Sequence, residues 1–274
     1  VRAEGEDAFI ALLDRFIDSR DFRGVPNTSF RDPGTGAFVH NVETPEFDRD
    51  MGQYPSPYLA GMFDYMFEAH RDIDFQAIIE TNRGCPFLCT FCYWGRGGNT
   101  RRYRYHSMER LAGEIDWFGR NNIRYVFNAD SNFGMHRRDA EIAELIVEAK
   151  KKYGFPEKFR TCWGKNTDEN IFRIAGMLHE HDLDKGITLA RQSQSKEVLG
   201  NIKRGNIKLE TYAKLQRHFN DRDVPVYTEM ILGLPGETYE SWRGGMEEML
   251  ESGLKNLLFV YQCEVYPNTE LHES

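Results

Sequence analysis

From Asp74 onward one pattern repeats along the chain: a short run of β-branched or aromatic residues, a turn, then a stretch with apolar residues at helical spacing. The strand-like runs are FQAIIET (Phe75 to Thr81), IRYVFNA (Ile123 to Ala129), FRTCW (Phe159 to Trp163), GITLARQ (Gly186 to Gln192), VYTEMIL (Val226 to Leu232) and LLFVYQC (Leu257 to Cys263). Between them Ile142, Leu145, Ile146 and Ala149 fall on one helical face, and Ser107, Thr167 and Thr238 stand where N-caps are expected. Strands that alternate with helices pair in parallel, because each parallel return needs a crossover. Six units are too few for a closed eight-stranded barrel, and their spacing suits a barrel better than a flat doubly wound sheet. The expected fold is α/β: a partial (β/α)6 TIM-like barrel over residues 71–274, with an N-terminal helical and linker extension.

The first seventy residues read differently. EDAFIALLDRFIDSR predicts a helix with Phe9, Leu12, Leu13 and Phe16 on one face. A loop-like stretch from Asp21 to Pro57 follows, with a hairpin signal at DPGTGAF. So long a loop inside a compact domain is unusual, so residues 1–70 read as a linker and the end of a preceding domain. The chain opens on Val and closes on PNTELHES, and reads as a piece of a longer polypeptide.

With 40% apolar residues over 274 positions, the chain can bury a substantial core. A net charge of -8 argues against a general nucleic-acid or membrane-surface binder. The basic stretch RGGNTRRYRYH (Arg96 to His106) reads as a solvated loop rather than an anion site. No apolar run approaches the ~20 residues of a membrane span, and nothing resembles a signal peptide. Five cysteines fit a disulfide framework poorly and suit a reducing cytosol.

Three of those cysteines, Cys85, Cys89 and Cys92, crowd into TNRGCPFLCTFCYWG directly after the first strand. A zinc site there needs a fourth ligand, such as His70, His106 or Cys162. A cubane iron–sulfur cluster takes one thiolate per iron, so three thiols leave one iron open to a reacting ligand. Cys162 and Cys263 lie in strands and read as small buried apolar residues.

C-x3-C-x2-C, with the aromatic Phe91 before the last cysteine, resembles the signature of the radical S-adenosylmethionine (radical SAM) superfamily. That resemblance implies a partial barrel of six βα units, a 4Fe–4S cluster and S-adenosylmethionine (SAM). It further implies that an electron from the cluster breaks a sulfur–carbon bond of SAM, and that the 5′-deoxyadenosyl radical so formed abstracts hydrogen from a small-molecule substrate. An electron donor such as flavodoxin or ferredoxin is implied with it.

By the same resemblance ARQSQSKEVLGNIKRGN assigns Gln192 and Ser193 to the ribose side of SAM and Arg204 to its carboxylate, a role that suits a guanidinium. In YTEMILGLPGET, Gly233 and Gly236 would admit the adenine, or simply form a turn. Many family members carry Gly-Gly-Glu after the second strand, where this chain has NADSNFG. Asp130, then Asn128, is the substitute expected to hold the amino group of SAM. Tyr93, Trp94, Tyr103, Tyr105, Trp163 and Lys165 are candidates to line the substrate cavity.

VRAEGEDAFIALL, YPSPYLAGMFD and TEMILGLPGET together resemble the branch whose radical domain follows a cobalamin-binding domain. The branch implies cobalamin and, most often, methyl transfer to an unactivated carbon; ring contraction and oxidative cyclisation also occur in it. The ligand motif D-x-H-x-x-G is not in this sequence. An open barrel exposes radical chemistry, so another domain or the substrate is expected to cover its mouth.

Overall fold

The computed structural model describes residues 4–42, 50–70, 72–94, 102–164, 169–205, 209–252, 254, 257–267 and 269–274. Its strands fall where the β-branched runs predict: β1 (Gln76–Ile79), β2 (Tyr125–Phe133), β3 (Lys158–Trp163), β4 (Ile187–Gln192), β5 (Val226–Leu232) and β6 (Leu258–Gln262). All neighbouring pairs are parallel, in chain order. They hydrogen-bond as two three-stranded halves, β1-β2-β3 and β4-β5-β6. The expected α/β class and strand order are thus present, while the barrel is open and its ladder is interrupted between β3 and β4. At the base of that seam the Phe159 amide donates to the Leu183 carbonyl at 2.8 Å, and Trp163 Nε1 to the Gly186 carbonyl at 3.4 Å.

Period-two alternation divides each strand between two environments. Phe159, Thr161 and Trp163 of β3 and Val226, Thr228 and Met230 of β5 are buried. The other face carries Arg160, Cys162, Tyr227 and Glu229. The apolar core lies between strands and helices, built from Ile79, Val126, Phe159 and Ile187 against Phe118, Ile142, Ile146, Ile174 and Leu178. The polar inner face is left for chemistry. Among the described residues no helix is long and apolar enough to cross a membrane.

The caps form as their chemistry requires. Ser107 Oγ accepts from the Arg110 amide at 3.2 Å, at the start of the helix Met108–Arg120. Thr238 and Ser241 make a reciprocal capping box for the helix Tyr239–Glu251. Thr167 lies outside the described residues.

Residues 4–42 and 50–70 carry regular elements of their own. The helix Glu6–Asp18 forms, but Phe9, Leu13 and Phe16 stay exposed because no described residue covers that face. The hairpin signal is real: Ser29–Arg31 pairs antiparallel with Phe38–His40, and Asp32 Oδ1 accepts from the amides of Gly34 and Thr35 in the turn. Tyr58 then docks this segment on the barrel. Its hydroxyl donates to the Ile78 carbonyl at 2.7 Å and accepts from the Ile78 amide at 3.1 Å, covering the otherwise open edge of β1. Its ring packs edge-on against Phe118 at 4.9 Å.

Phe118 is fully buried between this docked segment and the helical layer. Phe118→Ala is expected to cost about 3–5 kcal/mol. Urea denaturation should show a lower midpoint at an unchanged slope.

Candidate functional site

The cysteine loop hangs from the carboxyl ends of β1 and β2. Asp130, on β2 and fully buried, fastens the two together. Its Oδ1 accepts from the amides of Thr81 at 2.7 Å and Asn82 at 3.1 Å; its Oδ2 accepts from the Thr81 hydroxyl, and from Asn82 Nδ2 at 2.8 Å and Asn128 Nδ2 at 3.2 Å. Burial pushes this carboxyl up to about 6, against the pull of those donors. Asp130 and Asn128, the residues expected to receive the amino group of SAM, are both fully buried, and both carboxylate oxygens of Asp130 accept hydrogen bonds from the protein, which braces the start of the loop. A carboxylate at a strand end reads alike in sequence whether it faces a ligand or its own neighbours.

The next turn exists because of a glycine. Gly84 has φ +130, and a Cβ there would sit 2.4 Å from the Arg102 carbonyl oxygen. Ser131 Oγ donates to the Gly84 carbonyl at 2.7 Å, and Asn132 Nδ2 lies 3.4 Å from Cys85 Sγ. Tyr103 packs behind, its hydroxyl receiving Asn132 Nδ2 at 3.2 Å, and its phenol is pushed up by burial and by Cys85. Cys85 and Cys89 are buried and Cys92 is half-buried.

The far side of the loop is held by the second half-barrel. The Thr90 amide donates to the Ile202 carbonyl at 3.0 Å, and Phe91 packs on Val198, Ile202 and Leu234. Arg204, only 5% exposed, follows directly. Its Nη2 donates to the Ala190 carbonyl at 2.9 Å, and its guanidinium hydrogen-bonds Cys89. Burial lowers its pKa, while Cys89 and then Cys92 support the charge. Arg204, expected at the carboxylate of SAM, is thus brought to the thiols themselves.

Gln192 closes β4 in a left-handed conformation, φ +64, at a break in register with β5. Such strained backbone on a non-glycine residue is a mark of functional sites. Ser193, in contrast, is turned into its own turn, its hydroxyl donating to Glu237 at 3.2 Å and accepting from the Ser195 amide at 3.1 Å. Gly233 and Gly236 take φ +88 and +85, and a Cβ on Gly236 would meet Asn201 Nδ2 at 2.5 Å. The turn alone requires glycine there.

A cavity of about 480 Å³ opens beside Cys92, lined among others by Phe91, Tyr93, Trp94, Gln192, Glu229 and Tyr261. A second, of about 250 Å³, occupies the seam and includes Trp163, Cys162 and again Gln192 and Glu229. Glu229 escaped the sequence reading, although a lone acid amid VYTEMIL is its signal. Cys162 is exposed in the seam cavity rather than buried as expected. Tyr105 stacks outside, against Tyr103 and His136. Lys165 lies outside the described residues, as do 96–101 of the basic stretch; beyond them Arg104 pairs with Glu4.

Residues 79–249 match the profile of the radical SAM superfamily. This chain belongs to that superfamily. It is 40% identical over 272 residues to the cobalamin-dependent radical SAM methyltransferase TokK of Streptomyces tokunonensis, covering 98% of this chain and 39% of that protein. It is 39% identical over 275 residues to 2-(S-pantetheinyl)-carbapenam-3-carboxylate methyltransferase of Streptantibioticus cattleyicolor, covering 99% of this chain and 40% of that one. The chain therefore spans about two fifths of the length of these relatives. In fold it resembles the radical SAM methyltransferase TsrM of Kitasatospora setae, with a TM-score of 0.69 at 18% identity over 99% of this chain and 52% of that one.

The radical SAM loop can be tested against the cluster its family carries. Among the described residues no three His, Cys, Asp or Glu side chains converge on a single-ion position. A cubane takes one thiolate per iron, and Cys85, Cys89 and Cys92 supply three. All three come from one loop braced on both sides, and the loop opens at Cys92 onto a cavity. The donor set fits the cluster.

His106 lies beneath this loop, 3% exposed, with Nε2 4.0 Å from Glu80. Glu80 in turn chelates Arg83, which also meets Glu4 and Glu6. Burial, then Arg110 and Arg83, push His106 down to about 4. A depressed histidine stabilises the fold above its unfolded pKa of ~6.5 and loses that contribution as pH falls toward 4. His106→Gln should therefore flatten the acid limb of a melting-temperature profile between those limits. Gly84→Ala is expected to lower stability by about 1–3 kcal/mol and to reduce iron uptake on anaerobic reconstitution. Gly200→Ala, where an added Cβ meets nothing within 4 Å, is the control expected to behave as wild type.

Proposed function

We propose that this chain is the radical domain of a cobalamin-dependent methyltransferase that acts on an unactivated carbon. The observation that carries the reading is the three-thiol loop opening at Cys92 onto a cavity shared with Gln192 and Glu229. Cys85, Cys89 and Cys92 would hold the cluster. When bound, the cluster supplies the electron that cleaves SAM, and cobalamin carries the methyl group.

The protein's own residues set the conditions. Arg204 neutralises the thiolates from a buried position, and Asn132 supports Cys85; both act on the charge that the loop must carry. Phe91, Tyr93 and Trp94 wall the cavity beside Cys92 with apolar surface, which limits water around a reactive carbon. Gln192 presents its carboxamide from strained backbone at the junction of the two cavities, and Gly233 leaves the β5 exit uncrowded. Residues 1–70 read as the join to a cobalamin-binding domain, tied to the loop through Glu4, Arg83 and Arg104. None of the five cysteines is in a disulfide, which suits a reducing compartment with a flavodoxin or ferredoxin as donor. The substrate proposed is a carbapenam carboxylate of the type named for the second relative.

Anaerobic reconstitution should yield about four irons and four sulfides per chain. With reductant and SAM, 5′-deoxyadenosine should form and, with substrate and cobalamin, a methylated product. Alanine at Cys85, Cys89 or Cys92 should abolish cluster absorption and 5′-deoxyadenosine together. A chain that binds one zinc tightly and takes up no iron sinks the reading.

A further inference from the structure

We propose that the seam between β3 and β4 is a carboxylate-binding subsite in which Arg160 grips the anionic group of the substrate, with Gln192 beside it. The proposal rests on the methyltransferase reading for the identity of the ligand, but its physical basis is separate. Between paired parallel strands there is no room for a ligand. Here the ladder stops above the Phe159 to Leu183 bond, and the gap holds about 250 Å³. That is room for part of a small molecule rather than a whole one.

The lining of the gap states what that part must be. Arg160 faces it from the inner side of β3, and among the described residues no hydrogen bond or ion pair ends on its guanidinium. The acid that shares the cavity, Glu229, lies within electrostatic reach of the Arg204 guanidinium. Another group waits in the same gap. Gln192 Oε1 has no hydrogen-bond partner among the described residues, on a residue only 7% exposed. Buried polar atoms are nearly always satisfied, so an orphan lining the cavity marks a place where a ligand supplies the partner.

The chemistry of the two groups is specific. A guanidinium offers two parallel N–H donors that match the two oxygens of a carboxylate. Gln192 Oε1 accepts from an N–H or O–H next to the acid. Gln192 lines both cavities, so a molecule anchored at Arg160 extends past it toward Cys92. The seam thus fixes which carbon arrives there, as positioning chemistry requires.

The test uses the reconstituted full chain and 2-(S-pantetheinyl)-carbapenam-3-carboxylate together with its methyl ester. Wild type should bind the acid about tenfold to a hundredfold more tightly than the ester, the range of a charge-assisted pair. Arg160→Gln should erase that preference, and Arg160→Lys should restore only part of it. In turnover the loss should fall on KM more than on kcat, and the dissociation constant of SAM should stay within about twofold. Arg160→Met, which keeps the aliphatic stem, should lose the same preference for the acid and serves as the second variant if Arg160→Gln misfolds.

Equal binding of acid and ester by the wild type, including no binding of either, overturns the proposal. A shift in SAM affinity with acid binding intact also overturns it, since the carboxylate at Arg160 would then belong to SAM. If wild type takes up no iron and forms no 5′-deoxyadenosine, the methyltransferase reading fails, while the acid-against-ester comparison still decides the seam.

Discussion

One buried carboxylate sets the geometry on which the rest depends. Asp130 collects donors from Thr81, Asn82 and Asn128, and so joins the end of β1 to the middle of β2. A carboxylate without water around it is stable only if such donors surround it, and each donor would in turn be costly to leave unmet. The mutual need makes the junction rigid. Gly84 and Cys85 follow within three residues, so the cysteine loop starts from a fixed point and in a fixed direction.

Charge completes what that brace begins. Three thiols on one loop repel one another once ionised, and Arg204 stands buried against Cys89 and Cys92 to offset this. The cation comes from the opposite half-barrel, and the Thr90 to Ile202 bond runs alongside it. Loop and half-barrel therefore hold each other in place. A second set of charges, Glu4 and Glu6 with Arg83 and Arg104, ties the N-terminal segment to both flanks of the same loop.

The two half-sheets divide the work. The outer faces of the strands bury the core against the helices, which leaves the inner faces free of any packing duty. Polar residues such as Arg160, Cys162 and Glu229 are tolerated there because the stability of the fold does not rest on them. The broken ladder between β3 and β4 then turns a face into a cavity.

Much of this was legible in the amino-acid order alone. Strand-like runs separated by helical stretches point to six parallel strands, because each parallel return needs a crossover and the helices supply it. Cys85, Cys89 and Cys92 announce their chemistry by spacing, and Ser107 and Thr238 their caps. Only the tertiary structure decided where side chains of equal chemistry point. Asp130 turned inward as a brace, Arg204 went to the thiols, and Tyr58 sealed an edge strand twenty residues away. The physical reason is that spacing along a chain governs local backbone geometry, whereas the partner of a carboxylate or guanidinium is whichever group the packing brings within about 3 Å. The seam beside Arg160 is the plainest case, since a missing ladder between strands is a property of two segments and is written in neither.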